Sequence, residues 1–290
     1  MTNEPAAILA KLKISMWVPR LSDRAVTGEI HSMKRAGPKA GQYQKNLIDP
    51  KAMTGVVAAQ TELRATHHEL TRPWEEDGRR LLPMALMPEY ETRMASGKIL
   101  FDEEANKFLE VYPDLKSSAV LELGDMWREE DYPSPEALAR KFGVDYYFEP
   151  IPSGAAIPMS APDREALAAR VEKDAQARLA ESARGVSIRL RDTLQGVHDR
   201  LSSYGDKLDA GERTRFRVNI LDEITNLAGL LPALNIEQDM FLNGIAERLS
   251  EGLAKERADL LRDDSLKRNA ALKEMEAILA RMEEQDEAEN

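Results

Sequence analysis

Polar and apolar positions alternate along residues 10–20, AKLKISMWVPR. Leu12, Ile14 and Met16 fall on one face, and Lys11, Lys13 and Ser15 on the other. A period of two predicts a strand with a basic outer face. Val18-Pro19 ends it, because proline cannot donate to the ladder. A second short strand or turn is expected over 25–33, followed by a loop, KRAGPKAGQYQKN (34–46), with two glycines and a proline. Asp49-Pro50 supplies a cap residue and then a proline, and predicts a helix to about Leu70. Pro73 and Gly78 break the chain over 71–83. Helices are expected near 88–112 and 115–128, broken at Tyr112-Pro113 and Tyr132-Pro133. Ser134-Pro135 opens a short helix that ends at Gly143. DYYFEPIPSGAAIP (145–158) reads as one aromatic, β-branched strand and an irregular, proline-rich connection, and the strand would pair with residues 11–18.

Beyond residue 158 the period changes. Ser160–Asp163 resembles a capping box. Apolar residues then recur every three or four positions from Leu167 through Val171, Leu179, Val186, Leu190, Leu194 and Val197 to Leu201. That spacing marks one amphipathic helix of about 40 residues, stopped at Gly205. Further helices are expected over 211–231 (ending at Pro232), 237–262 and 264–284. The last carries Leu272, Met275, Leu279 and Met282 at heptad spacing. Each is apolar along one stripe, so each must pack on a neighbour or on another subunit. The chain therefore reads as a mostly helical α+β protein. A mixed region, 1–158, carries a small antiparallel sheet that is not an OB-fold. Residues 159–290 form an array of long helices suited to packing or homo-oligomerisation.

Charge changes the picture. The whole chain carries −11, yet residues 1–60 hold nine Lys or Arg against four acids (+5), leaving 31 bases and 47 acids (−16) in the rest. A basic end on an acidic body suggests a polyanionic partner. Lys11, Lys13, Arg20, Arg24, Lys34, Arg35, Lys39 and Lys45 are the candidate phosphate contacts. Trp17 and Tyr43 are candidate stacking platforms, since single strands are held by cations along the phosphates and rings against the bases. The competing account makes both aromatics core residues. Arg72, Trp74, Arg79 and Arg80 form a second basic-aromatic cluster. It would extend the same surface, or else Trp74 plugs the core while the arginines pair with Glu75, Glu76 and Asp77. The end, MEEQDEAEN, holds five acids and no base. It reads as a solubilising helix end or as a tail that competes with nucleic acid for the basic face.

Several chemistries find no support. There is no cysteine, which excludes disulfides and thiolate sites. The histidines are His31, His67, His68 and His198. The adjacent His67 and His68 point about 100° apart on a helix and cannot share one metal. The acidic run Asp125, Glu129, Glu130 and Asp131 reads as a solvated helix end. No Walker A loop, Rossmann glycine pattern, nucleophile elbow or His-Glu-x-x-His motif is present. No enzyme activity, metal or cofactor is expected. No run is long and apolar enough to span a membrane, and no signal peptide precedes the first strand, so a cytoplasmic protein is expected.

The order KLKISMWVPR (11–20), AGQYQKNLID (40–49), RPWEEDGRRLLP (72–83), VYPDL (111–115), LGDMWREEDYPS (123–134), YYFEPIP (146–152) and then long helices resembles the Drc-like family of N4-like phages and related prophage proteins. These are single-stranded-DNA-binding cofactors of phage RNA polymerase. The resemblance implies a fold other than the OB-fold, preference for single strands over duplex, and a role in phage DNA metabolism or transcription. Single-stranded DNA, with phage RNA polymerase or replication proteins, would be the partners, in the host cytoplasm. The alternative from the residues alone is a helical interaction scaffold or inhibitor that binds another protein through its C-terminal stripes.

Overall fold

The computed structural model describes residues 6–75, 78–153, 161–204, 221–253, 256 and 258–289. In chain order the elements are β1 (Ala7–Ser15), β2 (Arg20–Ser22), α1 (Arg24–Lys34), β3 (Gln44–Asn46), α2 (Thr54–Glu69), β4 (Arg72–Pro73), β5 (Arg79–Pro83), α3 (Met87–Leu123), α4 (Pro135–Ala139), β6 (Gly143–Glu149), α5 (Ala161–Ser202), α6 (Asp222–Leu234), α7 (Met240–Glu251), α8 (Ala258–Asp263) and α9 (Ser265–Glu289). The fold is α+β and mostly helical. Its small antiparallel sheet has the order β4-β5-β1-β6, β2 pairs β3 separately, and among the described residues there is no closed barrel. β6 lies beside β1, as expected for the strand read within 145–158.

The chain divides into two compact, interleaved units. One comprises residues 12–68 and 89–147, the other residues 1–11, 69–88 and 148–290. β1 contributes residues to both units, and β4 and β5 belong to the one that holds the C-terminal helices.

In the unit containing 12–68, Trp17, Phe108 and Tyr112 form an aromatic centre. Trp17 meets Tyr112 edge-on at 5.7 Å and Phe108 at 6.1 Å. α3 runs unbroken through Pro113, where the sequence predicts a break. Proline in a helix interior costs about 3 kcal/mol. Burial of Phe101, Phe108, Tyr112 and Ala119 on either side of it supplies the compensation. Tyr112 Oη also donates to the Pro133 carbonyl at 2.9 Å. Residues 25–33, expected as strand or turn, lie in helix α1. Asp23 caps it by accepting from Ala25 N and Val26 N at 3.0 and 3.1 Å.

In the other unit, β5 pairs β1 with Leu81 opposite Leu9. The hairpin β4–β5 forms where the sequence shows only a break. Trp74 clusters there with Ala7, Leu9 and Leu81, and Leu179 of α5 packs against this cluster. Gly185 lets α5 approach β4: an added Cβ would meet the Pro73 ring at 3.0 Å. The apolar stripes of the helices pack on one another, α5 on α6 and α9, and α6 on α7. Leu190, Leu194, Val197, Ile224, Leu231, Leu249, Met275 and Met282 are buried there. The helix expected over 237–262 is divided into α7 and α8 around Gly252, where an added Cβ would meet Glu274 of α9 at 2.5 Å. α6 passes Pro232 to end at Leu234. The expected features at Ser160, Gly205, 211–220 and 288–290 lie wholly or partly outside the described residues. Among the described residues no helix is long and apolar enough to cross a membrane.

Candidate nucleic-acid interface

Residues 20–46 form an excursion closed on itself. β2 and β3 pair antiparallel, with Arg20 opposite Asn46 and Ser22 opposite Gln44. Between them run α1 and a loop. The closure is dense in hydrogen bonds. Asp23 N donates to Tyr43 O at 3.0 Å. Thr27 Oγ1 accepts from Tyr43 N at 3.0 Å and donates to Asp23 O at 2.6 Å. Arg35 adopts a left-handed conformation (φ 49°) that ends α1 and turns the chain.

Its anchor is Lys45, 2% exposed. Lys45 Nζ lies 2.7 Å from Asp131 Oδ2 and 3.4 Å from Asp23 Oδ2, and donates to the Met126 carbonyl at 2.6 Å. The two oxygens of Asp23 therefore have separate roles, one capping α1 and the other facing Lys45. The Val26 N–H first, and then Lys45, hold the Asp23 carboxyl below its ordinary value of 3.8, against the opposing effect of burial.

The expected contact residues separate into two groups. Arg20, Arg24, Lys34, Arg35 and Lys39 are exposed on the excursion, where Glu29 is the one exposed acid among 20–46. Arg24, Lys34, Arg35 and Lys39 carry no ion pair among the described residues. Lys13 is also exposed, and Lys11 and Tyr43 are half-buried. Trp17, expected to stack on bases, is instead 7% exposed within the aromatic centre, so it offers no ring face to a strand. Lys45 is withdrawn from solvent into its ion pairs.

The members of the second cluster are held by contacts within their own unit. Arg72 is 1% exposed and Trp74 is core. Arg79 pairs with Glu75, and with Glu149 at 3.7 Å. Arg80 Nε donates to Thr71 Oγ1 at 2.6 Å. The alternative account of this cluster is thus the one the structure adopts for Trp74, Arg79 and Glu75. Glu76 and Asp77 lie outside the described residues.

A cleft of about 500 Å³ opens beside the excursion, between residues 43–50 and the C-terminal part of α3. Tyr43, Leu47, Ile48, Pro50, Ala119 and Leu123 give it apolar walls. Asn46, Asp49, Ser118 and Glu122 add polar groups. Arg20 stands next to it, with Nε 3.4 Å from Asn46 Oδ1. Sequence reasoning missed this cleft, and it read Asp131 as part of a solvated helix end, whereas the Asp131 side chain is 11% exposed and paired with Lys45. Neither leaves a local signal, since each depends on residues more than 60 positions apart. Among the described residues no group of three or more His, Asp or Glu is placed to hold a metal ion.

No family model, curated protein or solved structure matches this chain.

Proposed function

We propose that this chain is a non-enzymatic binding protein for single-stranded DNA, and that the 20–46 excursion is its contact surface. The observation that carries this reading is the ratio of five exposed cations to one exposed acid on a segment whose geometry is locked by Lys45. Flexible cations lose side-chain entropy on binding, but here the backbone that bears them is already ordered, which lowers the cost of docking. Affinity would come from phosphate neutralisation more than from ring stacking, since Trp17 is core. The net charge of −11 is no obstacle, because the local field governs encounter. The resemblance to Drc-like phage proteins supports the same reading. It names phage RNA polymerase or replication proteins as further partners and a role in phage transcription or DNA metabolism.

A second reading rests on a different feature of the same excursion. α1 has no buried residue, and Leu21, Ile30 and Met33 are exposed among the cations. An acidic protein partner would suit such a mixed surface. Titration of labelled single-stranded and duplex oligonucleotides by fluorescence anisotropy at several salt concentrations separates the two. With up to five phosphate contacts, the log–log salt slope on single strands should approach about −3.5. Replacing Arg24, Lys34 or Arg35 by Gln should lower its magnitude by about 0.7 each. No binding at low salt, or a flat salt response, would overturn the DNA reading and favour the protein partner.

A further inference from the structure

We propose that the cleft over Tyr43 takes one unpaired base of the bound strand and favours bases that carry an exocyclic amine. The inference rests on the single-strand reading above and specifies what the site would recognise. The cleft has the character of a small-molecule site: about 500 Å³, within the usual range of roughly 300–1,000 Å³, with mainly apolar walls and a few polar groups. Leu47, Ile48 and Ala119 are buried, and the half-buried Tyr43 is among the lining residues. Such walls suit the flat face of a base and exclude a hydrated phosphate.

Charge complementarity identifies the occupant. Two cations neighbour lining residues of the cleft: Arg20 Nε lies 3.4 Å from Asn46 Oδ1, and the exposed Lys51 follows Pro50. Phosphates could meet both cations while the base between them turns inward. Two carboxylates, Asp49 and Glu122, line the cleft. They would repel a phosphate, which argues against an inorganic anion or a nucleotide held by its phosphate. An ionised carboxylate only accepts hydrogen bonds. One Asp49 oxygen already accepts from Lys51 N at 3.0 Å, which leaves the other available. Ser118 Oγ donates to the Asp114 carbonyl at 2.9 Å, so its remaining capacity toward a ligand is as an acceptor. The polar groups are therefore mainly acceptors. Cytosine, adenine and guanine offer amines to them, as when a carboxylate accepts from cytosine N4. Thymine offers a single ring N–H between two carbonyls, whose lone pairs would face the carboxylates.

The test compares oligodeoxycytidylate, oligothymidylate and an abasic strand of equal length, by anisotropy at one fixed salt concentration near neutral pH. Wild type should bind the cytosine strand about tenfold more tightly than the thymine strand, the order expected of one good carboxylate–amine contact. The abasic strand should be the weakest. Glu122→Gln, at an exposed position that leaves the fold intact, should bring the cytosine-to-thymine ratio toward one. Equal affinities for all three strands, with steep salt dependence retained, would overturn the cleft proposal and leave the polyanion reading standing. Preference for thymine would also overturn it. Failure of every strand to bind at low salt would remove the single-strand reading itself.

Discussion

Arg72 is expected to hold the C-terminal unit together and to contribute nothing to strand binding, and its replacement by methionine separates those roles. Its guanidinium uses every edge. Nε donates to Ser182 Oγ at 3.0 Å, Nη1 to Glu237 Oε2 at 2.7 Å and Nη2 to Glu237 Oε1 at 2.9 Å. Further bonds reach the carbonyls of Leu179, Ser182 and Leu234 at 3.2–3.3 Å. One side chain of β4 thus ties α5 to the end of α6. Methionine keeps most of the stem's packing and deletes every donor. Removing one partner of a buried ion pair costs about 3–5 kcal/mol when the other charge stays buried. The Glu237 side chain is 39% exposed and can rehydrate, which lowers that term. The buried Ser182 hydroxyl and the carbonyls left without donors raise it again. The expected net loss is about 3 kcal/mol, or roughly 6–12 °C in melting temperature for a protein of this size. Urea denaturation followed by far-ultraviolet circular dichroism measures it. Arg72→Lys keeps the charge but loses the planar fork, and should fall between wild type and Arg72→Met. A loss below about 1 kcal/mol for Arg72→Met would refute the reasoning, because surface ion pairs reach that size. Reduced strand affinity of the fully folded variant would refute the assignment of Arg72 to structure alone.

Other outcomes follow from the same contacts. Trp17→Ala should cost about 3–5 kcal/mol in stability through loss of the aromatic centre, while the folded fraction binds single strands as wild type does; unchanged stability with lost affinity would restore the stacking role. Lys45→Met leaves Asp23 and Asp131 without their shared cation, so amide exchange across residues 20–46 should accelerate about tenfold or more, and unchanged protection would refute the anchor. Burial, then Glu129, pushes the Tyr112 phenol up to about 12; burial, then Asp131 and Tyr112, does the same for Tyr132. Both favour the neutral form in the folded state, so the stability they contribute is complete below about pH 10 and lost as pH rises toward about 12; ultraviolet titration showing both phenolates formed near pH 10 in the native protein would contradict this. Gly185→Val forces its side chain into the Pro73 ring and should destabilise by about 1–3 kcal/mol, measured by the same urea titration.

What the sequence by itself determined was whatever depends on neighbours along the chain. A first strand, read over 10–18 and found at 7–15, the capped start at Asp49-Pro50, the short helix after Ser134 and the long stripe of α5 all follow from period, caps and proline placement within a few turns. The basic bias of the first 60 residues was equally legible, and most of its cations are exposed. Tertiary structure decided which of those groups remain available to a partner. Trp17 and Lys45 have the same local chemistry as an exposed ring and an exposed cation. They are buried because Phe108, Tyr112, Asp23 and Asp131 come to meet them. Arg72 sits in a turn-like sequence, yet Glu237, 165 residues away, makes it a strut. α1 formed where a strand or turn was expected because Asp23, held by Lys45, caps it. α3 continued through Pro113 because burial on both sides of the proline outweighs one lost hydrogen bond. Local periodicity specifies the face an element buries; only long-range packing specifies what meets that face, and hence which polar groups are left for water or for a ligand.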